Sequence, residues 1–395
     1  MKNLNRILFS LISPVVLGGD RAEEPRAVKA DALSAVYAHA KRHDLGHLLA
    51  QAVRENAKFK IEKPETEHEP LGDDAFKALM AELEKSELTA VWRVKNIENE
   101  QGRVRKCLED AGIPFILLKG AVVRGYYPAA WMRTSSDIDV LVHSDAIPEV
   151  VKSLKDVCGY KVDEALPHAA AFYSASGVRI EVMTDFEGDG EDCRLLNAAW
   201  RDSSDNGGAE HFLTPEHYYF YHVAHMASHM RSGGCGIRPF IDLYLINAKL
   251  DLNRTRINEM LAEFGLSTFE SAAVKLSEMW MLGRDTAELS ALEEYVLAGG
   301  VYGTVVQGVA ANRRGGQGKF RYVMRRIFMP YSELKKRHPA LDGRPWLTPF
   351  FEVWRWCGLV VPSRFKRSRA ELKSAVALDN EGVTTVESLL DSLGI

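Results

Sequence analysis

Two aspartates, Asp137 and Asp139, stand two residues apart in the run Ser136-Asp137-Ile138-Asp139-Val140-Leu141-Val142. Acids alternating with aliphatic residues predict a strand, with both carboxylates on one face and Ile138 and Val140 turned to a core. Adjacent carboxylates repel each other unless a cation lies between them. Hard oxygen donors of this kind suit Mg²⁺ or Mn²⁺, which also bridge phosphate oxygens. A third acid stands in Gly177-Val178-Arg179-Ile180-Glu181-Val182-Met183. Alternation places Glu181 with Arg179 and Met183, opposite Val178, Ile180 and Val182. If this strand lies beside the first, Glu181 joins the pair. Two carboxylates can then hold metal while the third takes a proton from a hydroxyl.

Upstream, Lys119-Gly120 closes the apolar run Ile113–Leu118 and precedes Ala121-Val122-Val123-Arg124, a pattern that predicts a strand-to-helix turn. Backbone amides at such a turn favour phosphate. Lys119 adds a point charge, and Arg133 or Arg124 a planar fork. A phosphate cradle, a metal-binding acid pair and a third acid together make a phosphoryl-transfer constellation. Each residue also has a plainer reading. Asp-x-Asp can be solvated surface, Glu181 a rim charge, Lys119 a lysine at a turn, and Arg133 the ion-pair partner of the acids.

The elements around these residues change character along the chain. Residues 1–110 carry apolar residues at helical spacing, and the last long helix stops at Gly112. Residues 111–200 are the α/β portion: the Ile113–Leu118 strand, the Asp-x-Asp strand, a helix after it, and a hairpin turning at Ser176-Gly177. Residues 201–210 read as a loop, and the remainder to residue 395 as mostly helical. The expected fold class is therefore α+β, a small mixed-sheet core embedded in a largely helical chain.

Charge is nearly balanced at −4 over 395 residues, unlike the strongly basic domains that grip long nucleic acid. Five scattered cysteines with no CxxC pair fit reduced thiols, so a cytoplasmic location is expected. The apolar N-terminus is short and interrupted by Pro14, which favours a core helix over a targeting or membrane segment. His222, His225 and His229 share a helix face. Packed histidines are the expected reading there, rather than zinc, with His225 or His229 able to line the cleft. Arg238 and Asp242, four residues apart, predict a local helix ion pair. The block Pro349–Arg369 reads as a buried aromatic helix followed by a solvated basic turn, with a membrane-surface segment as the alternative.

The pattern LLKG…YYP…R…SSDIDVLV resembles the DNA polymerase β-type nucleotidyltransferase superfamily. More closely, it resembles a bacterial branch of uncharacterised nucleotidyltransferases whose members tend to accompany polysaccharide or peptide-natural-product biosynthesis. The residues that carry the likeness are Lys119, Gly120, Tyr127, Pro128, Arg133, Asp137 and Asp139. A weaker similarity runs from Ile113 to Trp356. The superfamily's usual Gly-Ser is Lys-Gly here, and Val182-Met183 stands where the branch often has Leu-His, which leaves Asp185 as a substitute third acid.

The resemblance implies a nucleotidyltransferase core and transfer of an NMP from an NTP, ATP being the expected one, to an unknown acceptor hydroxyl or phosphate. It implies Mg²⁺ or Mn²⁺ on Asp137, Asp139 and Glu181. Lys119, Gly120 and Arg133, with His225 and His229, are expected around the nucleotide, and biosynthetic-pathway partners follow. The alternatives are a degenerate nucleotide-binding scaffold or regulatory subunit, and a toxin-like modifier of tRNA or protein.

Overall fold

A computed structural model describes residues 1–18, 30–55, 73–166, 169–184, 191–284, 287–301, 303–313, 319–357, 377 and 380–395. Asp185, the basic run 364–369 and most of the polar stretch 58–74 lie outside the described residues. The chain forms two compact units, one of residues 1–226 with 236–301, the other of 227–235 with 302–395.

In the first unit, α1 (Lys2–Val16), α2 (Ala30–Arg42) and α3 (Gly46–Glu55) precede α4 (Asp73–Asp110), a helix of 38 residues. As expected of a core helix, α1 buries Leu8, Phe9, Leu11 and Ile12. A seven-stranded mixed sheet follows. Its strands are β1 (Phe115–Leu117), β2 (Asp137–Val142), β3 (Lys161–Leu166), β4 (Ala169–Tyr173), β5 (Arg179–Thr184), β6 (Ser203–Asp205) and β7 (Glu210–Leu213), in the order β3-β4-β5-β2-β1-β7-β6. Short helix α5 (Gly120–Val123) follows β1, α6 (Ile147–Asp156) follows β2, and α7 (Glu191–Arg201) precedes β6. The fold is α+β.

The period-2 pattern decides which face is covered. Ile138, Val140 and Val142 of β2 and Ile180 and Val182 of β5 pack with Val104 and Leu108 of α4 and Val150 and Leu154 of α6. The acids, on alternate positions, therefore face away from this core.

The expected loop at 201–210 is instead the β6–β7 hairpin, paired Ser203↔Leu213 to Asp205↔His211. Its turn signal, Asp205-Asn206-Gly207-Gly208, was present in the sequence. Tertiary contacts hold it: β7 runs parallel to β1, and Arg105 makes a bidentate pair with Glu210, its Nε 2.6 Å and Nη2 2.9 Å from the carboxylate oxygens.

Helices α8 (Pro215–Ser232), α9 (Arg238–Lys249), α10 (Arg254–Glu263), α11 (Ser267–Leu282) and α12 (Ser290–Gly299) complete the helical part, α8 ending in the second unit. The second unit adds α13 (Val305–Asn312), α14 (Lys319–Ile327), α15 (Tyr331–Arg337), α16 (Thr348–Cys357) and α17 (Asn380–Ser392). Here Gly303, at φ 75°, passes so near Gly233 that a Cβ would lie 1.9 Å from its carbonyl oxygen. The aromatic helix expected to be buried is not: in α16 only Glu352 is buried, while Phe350 is 72% and Trp354 63% exposed. Among the described residues no helix is long and apolar enough to cross a membrane.

Candidate functional site

Strands β2 and β5 run parallel with Asp139 beside Glu181 and Asp137 beside Arg179. Two acids from one strand and one from its neighbour thus converge. One carboxylate oxygen each from Asp137, Asp139 and Glu181 lie within 4.8 Å of one another. Asp139 is 3% exposed, and the other two are half-buried. Burial pushes the Asp139 carboxyl up to about 6; Asp137 and Glu181 add repulsion, and Lys119 opposes both.

Lys119 enters the cluster directly, its Nζ 2.7 Å from Asp139 Oδ1. Burial works to lower the ammonium's pKa, but the charge of Asp139, then Tyr221 and Asp137, raises it overall. Both partners of this pair titrate above their ordinary values, Asp139 chiefly because it is buried and Lys119 because its ammonium stands among carboxylates. It is held charged by all of them and cannot neutralise each. Arg179 Nη1 lies 2.7 Å from Glu181 Oε1, on a more exposed rim. The set of hard carboxylate oxygens has the chemistry that suits Mg²⁺ or Mn²⁺.

The turn that delivers Lys119 is strained. Its φ of 47° and ψ of −118° are unusual for a residue with a Cβ. Leu118 N–H donates to Asp139 O (3.0 Å), tying the turn to the acid strand, and Tyr218 OH donates to Lys119 O (3.0 Å). Gly120 lies close to Ser135: a Cβ there would meet its side chain at 3.3 Å, a tight contact. The expected amide cradle is reduced. Helix α5 has four residues, and the N–H groups of Ala121, Val122 and Val123 donate to Leu118 O or Lys119 O.

Arg133 and Arg124 are both engaged elsewhere. Arg133 is buried on Asp242, with Nε 2.8 and 2.9 Å from the two carboxylate oxygens and Nη2 2.8 Å from Oδ2. Tyr127 OH donates to the same Asp242 at 2.7 Å. The guanidinium holds the Asp242 carboxyl below its ordinary range despite complete burial. Arg124 Nη2 donates to Ser135 Oγ at 2.9 Å, behind Gly120.

An Arg238–Asp242 helix pair was expected; the carboxylate of Asp242 is engaged by Arg133. Arg238 Nη1 reaches Asp44 Oδ2 (2.6 Å) and Thr134 O (3.0 Å). Thr134 and Arg93 also donate to Asp44, and His47 Nε2 donates to Met132 O at 2.9 Å. The N-terminal helices thereby clamp the loop leading into β2.

His225 stacks on Tyr221 (centroids 6.1 Å apart), and His222 Nε2 donates to Pro239 O at 2.9 Å. Neither His225 nor His229 belongs to the acid cluster, the metal-capable group among the described residues. His229 lies in the second unit. Sequence reasoning did not single out Tyr218 and Tyr221. Their spacing on one face of α8 was visible in Tyr218-Tyr219-Phe220-Tyr221, but aromatic residues at helical spacing usually signal core.

No curated protein matches the chain. Among solved structures, a similar chain is that of a CCA-adding enzyme in complex with CTP, at 14% identity and a TM-score of 0.29, over 77% of this chain and 72% of that one. Residues 29–281, a span that includes all seven strands and the three carboxylates, match the family described as uncharacterised nucleotidyltransferase, and the chain belongs to that family.

Proposed function

We propose that this chain is a nucleotidyltransferase of the DNA polymerase β type, moving an NMP from an NTP onto an acceptor hydroxyl or phosphate and releasing pyrophosphate. The convergence of Asp137, Asp139 and Glu181 opposite the core face of the sheet carries this reading. These three would hold Mg²⁺ or Mn²⁺, which when bound supplies neutralisation of phosphate charge and alignment of the leaving group. The Glu181 carboxylate accepts the acceptor's proton, since its strand is shallower and its side chain 31% exposed. Lys119, held over Asp139 by its strained turn, offers its ammonium to phosphate oxygens. Arg133 and Gly120 position the loops that carry these groups, Arg133 through Asp242 and Gly120 through its approach to Ser135.

The test is incubation of the chain with each α-labelled NTP, Mg²⁺ or Mn²⁺, and cell extract. Label should move to an acceptor with pyrophosphate release, and Asp139→Asn should abolish both. Transfer that persists in Asp139→Asn refutes the assignment. A non-transferring nucleotide-binding scaffold is the second reading, favoured by the Lys119–Asp139 pair, which already engages one carboxylate oxygen. Saturable NTP binding without pyrophosphate release would select it.

A further inference from the structure

We propose that the second unit docks on anionic membrane surfaces through the outer face of α16. The inference is independent of the transferase reading. Phe350, Val353 and Trp354 stand at i, i+3 and i+4 on one helix face, and Trp346 lies just before the helix. They are 72%, 54%, 63% and 65% exposed. Single exposed apolar residues are ordinary, whereas a contiguous set with two indoles marks an interaction site.

The face is presented deliberately, not left over from a loose helix. On the inner side Glu352 is buried and accepts from Met329 N–H at 2.6 Å, and Arg355 Nε donates back to Glu352 at 2.9 Å. Trp356 Nε1 donates to Ile327 O at 3.0 Å. Phe351 packs against the buried cluster of Met329, Leu334 and Leu341. Trp354 is steadied by the rings of His338 and Phe351, at 5.4 and 5.8 Å. The helix is thus anchored through one side while its aromatic side meets solvent.

Charge names the occupant. Residues 302–395 hold sixteen Lys and Arg against eight Asp and Glu, while residues 1–301 hold 34 against 46. The acidic majority disfavours polyanions, and this one stretch attracts them. Lys335 and Arg344 are exposed, and Arg364, Lys366, Arg367 and Arg369 follow α16 in sequence. Indoles and phenyl rings beside basic residues suit the headgroup level of a bilayer, with apolar rings inserted and cations on lipid phosphates. Val353 within the face, and the aliphatic run Leu359-Val360-Val361 after it, favour acyl chains over stacked bases, which select aromatic planes.

The experiment uses the full chain with vesicles of phosphatidylcholine alone, or with added phosphatidylglycerol. Sedimentation should show at least about tenfold tighter binding to the anionic vesicles, weakening as salt rises. Brominated acyl chains should quench tryptophan emission in the same titration. The double variant Phe350→Ser/Trp354→Ser should lose at least about tenfold in affinity while keeping its circular dichroism spectrum. Equal binding to neutral and anionic vesicles, or no quenching in the parent chain, overturns the proposal. So does displacement from vesicles by single-stranded RNA with retained binding to that RNA, or a dimer in solution that the double variant dissociates.

Discussion

Two charged clusters lie in the same unit and differ in the sign of their surplus charge. Around Asp44 and Asp242, three guanidiniums, those of Arg93, Arg133 and Arg238, meet two carboxylates, with Thr134 and Tyr127 adding hydrogen bonds. Around Asp139, three carboxylates meet one buried ammonium and one rim guanidinium. In the first cluster cations outnumber carboxylates, and the Asp242 carboxyl is depressed accordingly. The second has surplus negative charge in a buried setting, and Asp139 is raised. Carboxylates outnumbered by guanidiniums are held ionised within the fold, whereas a surplus of carboxylates calls for a ligand of opposite charge.

Breaking each cluster should have a different signature. Asp139→Asn is expected to cut transfer by at least about a thousandfold while leaving the thermal midpoint unchanged or higher, because it removes a carboxylate whose charge is disfavoured first by burial and then by repulsion. Initial-rate assays beside calorimetry measure both. An unfolded Asp139→Asn protein would erase the distinction between the clusters. Asp242→Asn is expected to destabilise the fold by about 3–5 kcal/mol, since Arg133 is left buried without its counterion. In denaturant titrations the double change Arg133→Met/Asp242→Leu should recover much of that loss. A double variant no better than the single would show that the pair is not the stabilising unit.

Acid should weaken the scaffold side first. Burial lowers His39 and His47 to about 4 and His43 to about 3. The unfolded chain binds protons at the ordinary 6.5, so it gains more than the folded one as pH falls below that value. Stability held at pH 7 should therefore decline through pH 6.5 to 4, by on the order of 1–2 kcal/mol per histidine at pH 5. Thermal melts across that window test it, and a flat profile would refute buried neutral histidines. The smallest effect belongs to Arg179→Ala. Its pair with Glu181 is partly exposed, so stability should change by less than about 1 kcal/mol.

Much of the acid cluster was legible because strand alternation is a local rule. Asp137 with Asp139, and Glu181 opposite Ile180 and Val182, follow from period 2 and need only adjacent strands to meet. The partners of Arg133 and Arg238 were not legible. Four-residue spacing on α9 suggests Asp242 for Arg238, but Asp44 and Arg133, far away in the chain, engage the two groups at 2.6 and 2.8 Å. The hairpin at 203–213 escaped for a similar reason, since its strands are short and β7 is held by β1, α4 and Arg105. The outward face of α16 escaped because an aromatic helix reads as core unless its surroundings are known.

By itself, then, the sequence determined the α+β class, the shared face of the two aspartates and the lysine turn ahead of them, all consequences of periodicity and turn chemistry within a few residues. Tertiary structure decided which charge neutralises which, placing Lys119 on Asp139 and Arg133 on Asp242, and which apolar face stays in water. Those outcomes depend on competition among groups distant in the chain, settled by burial and distance rather than by spacing.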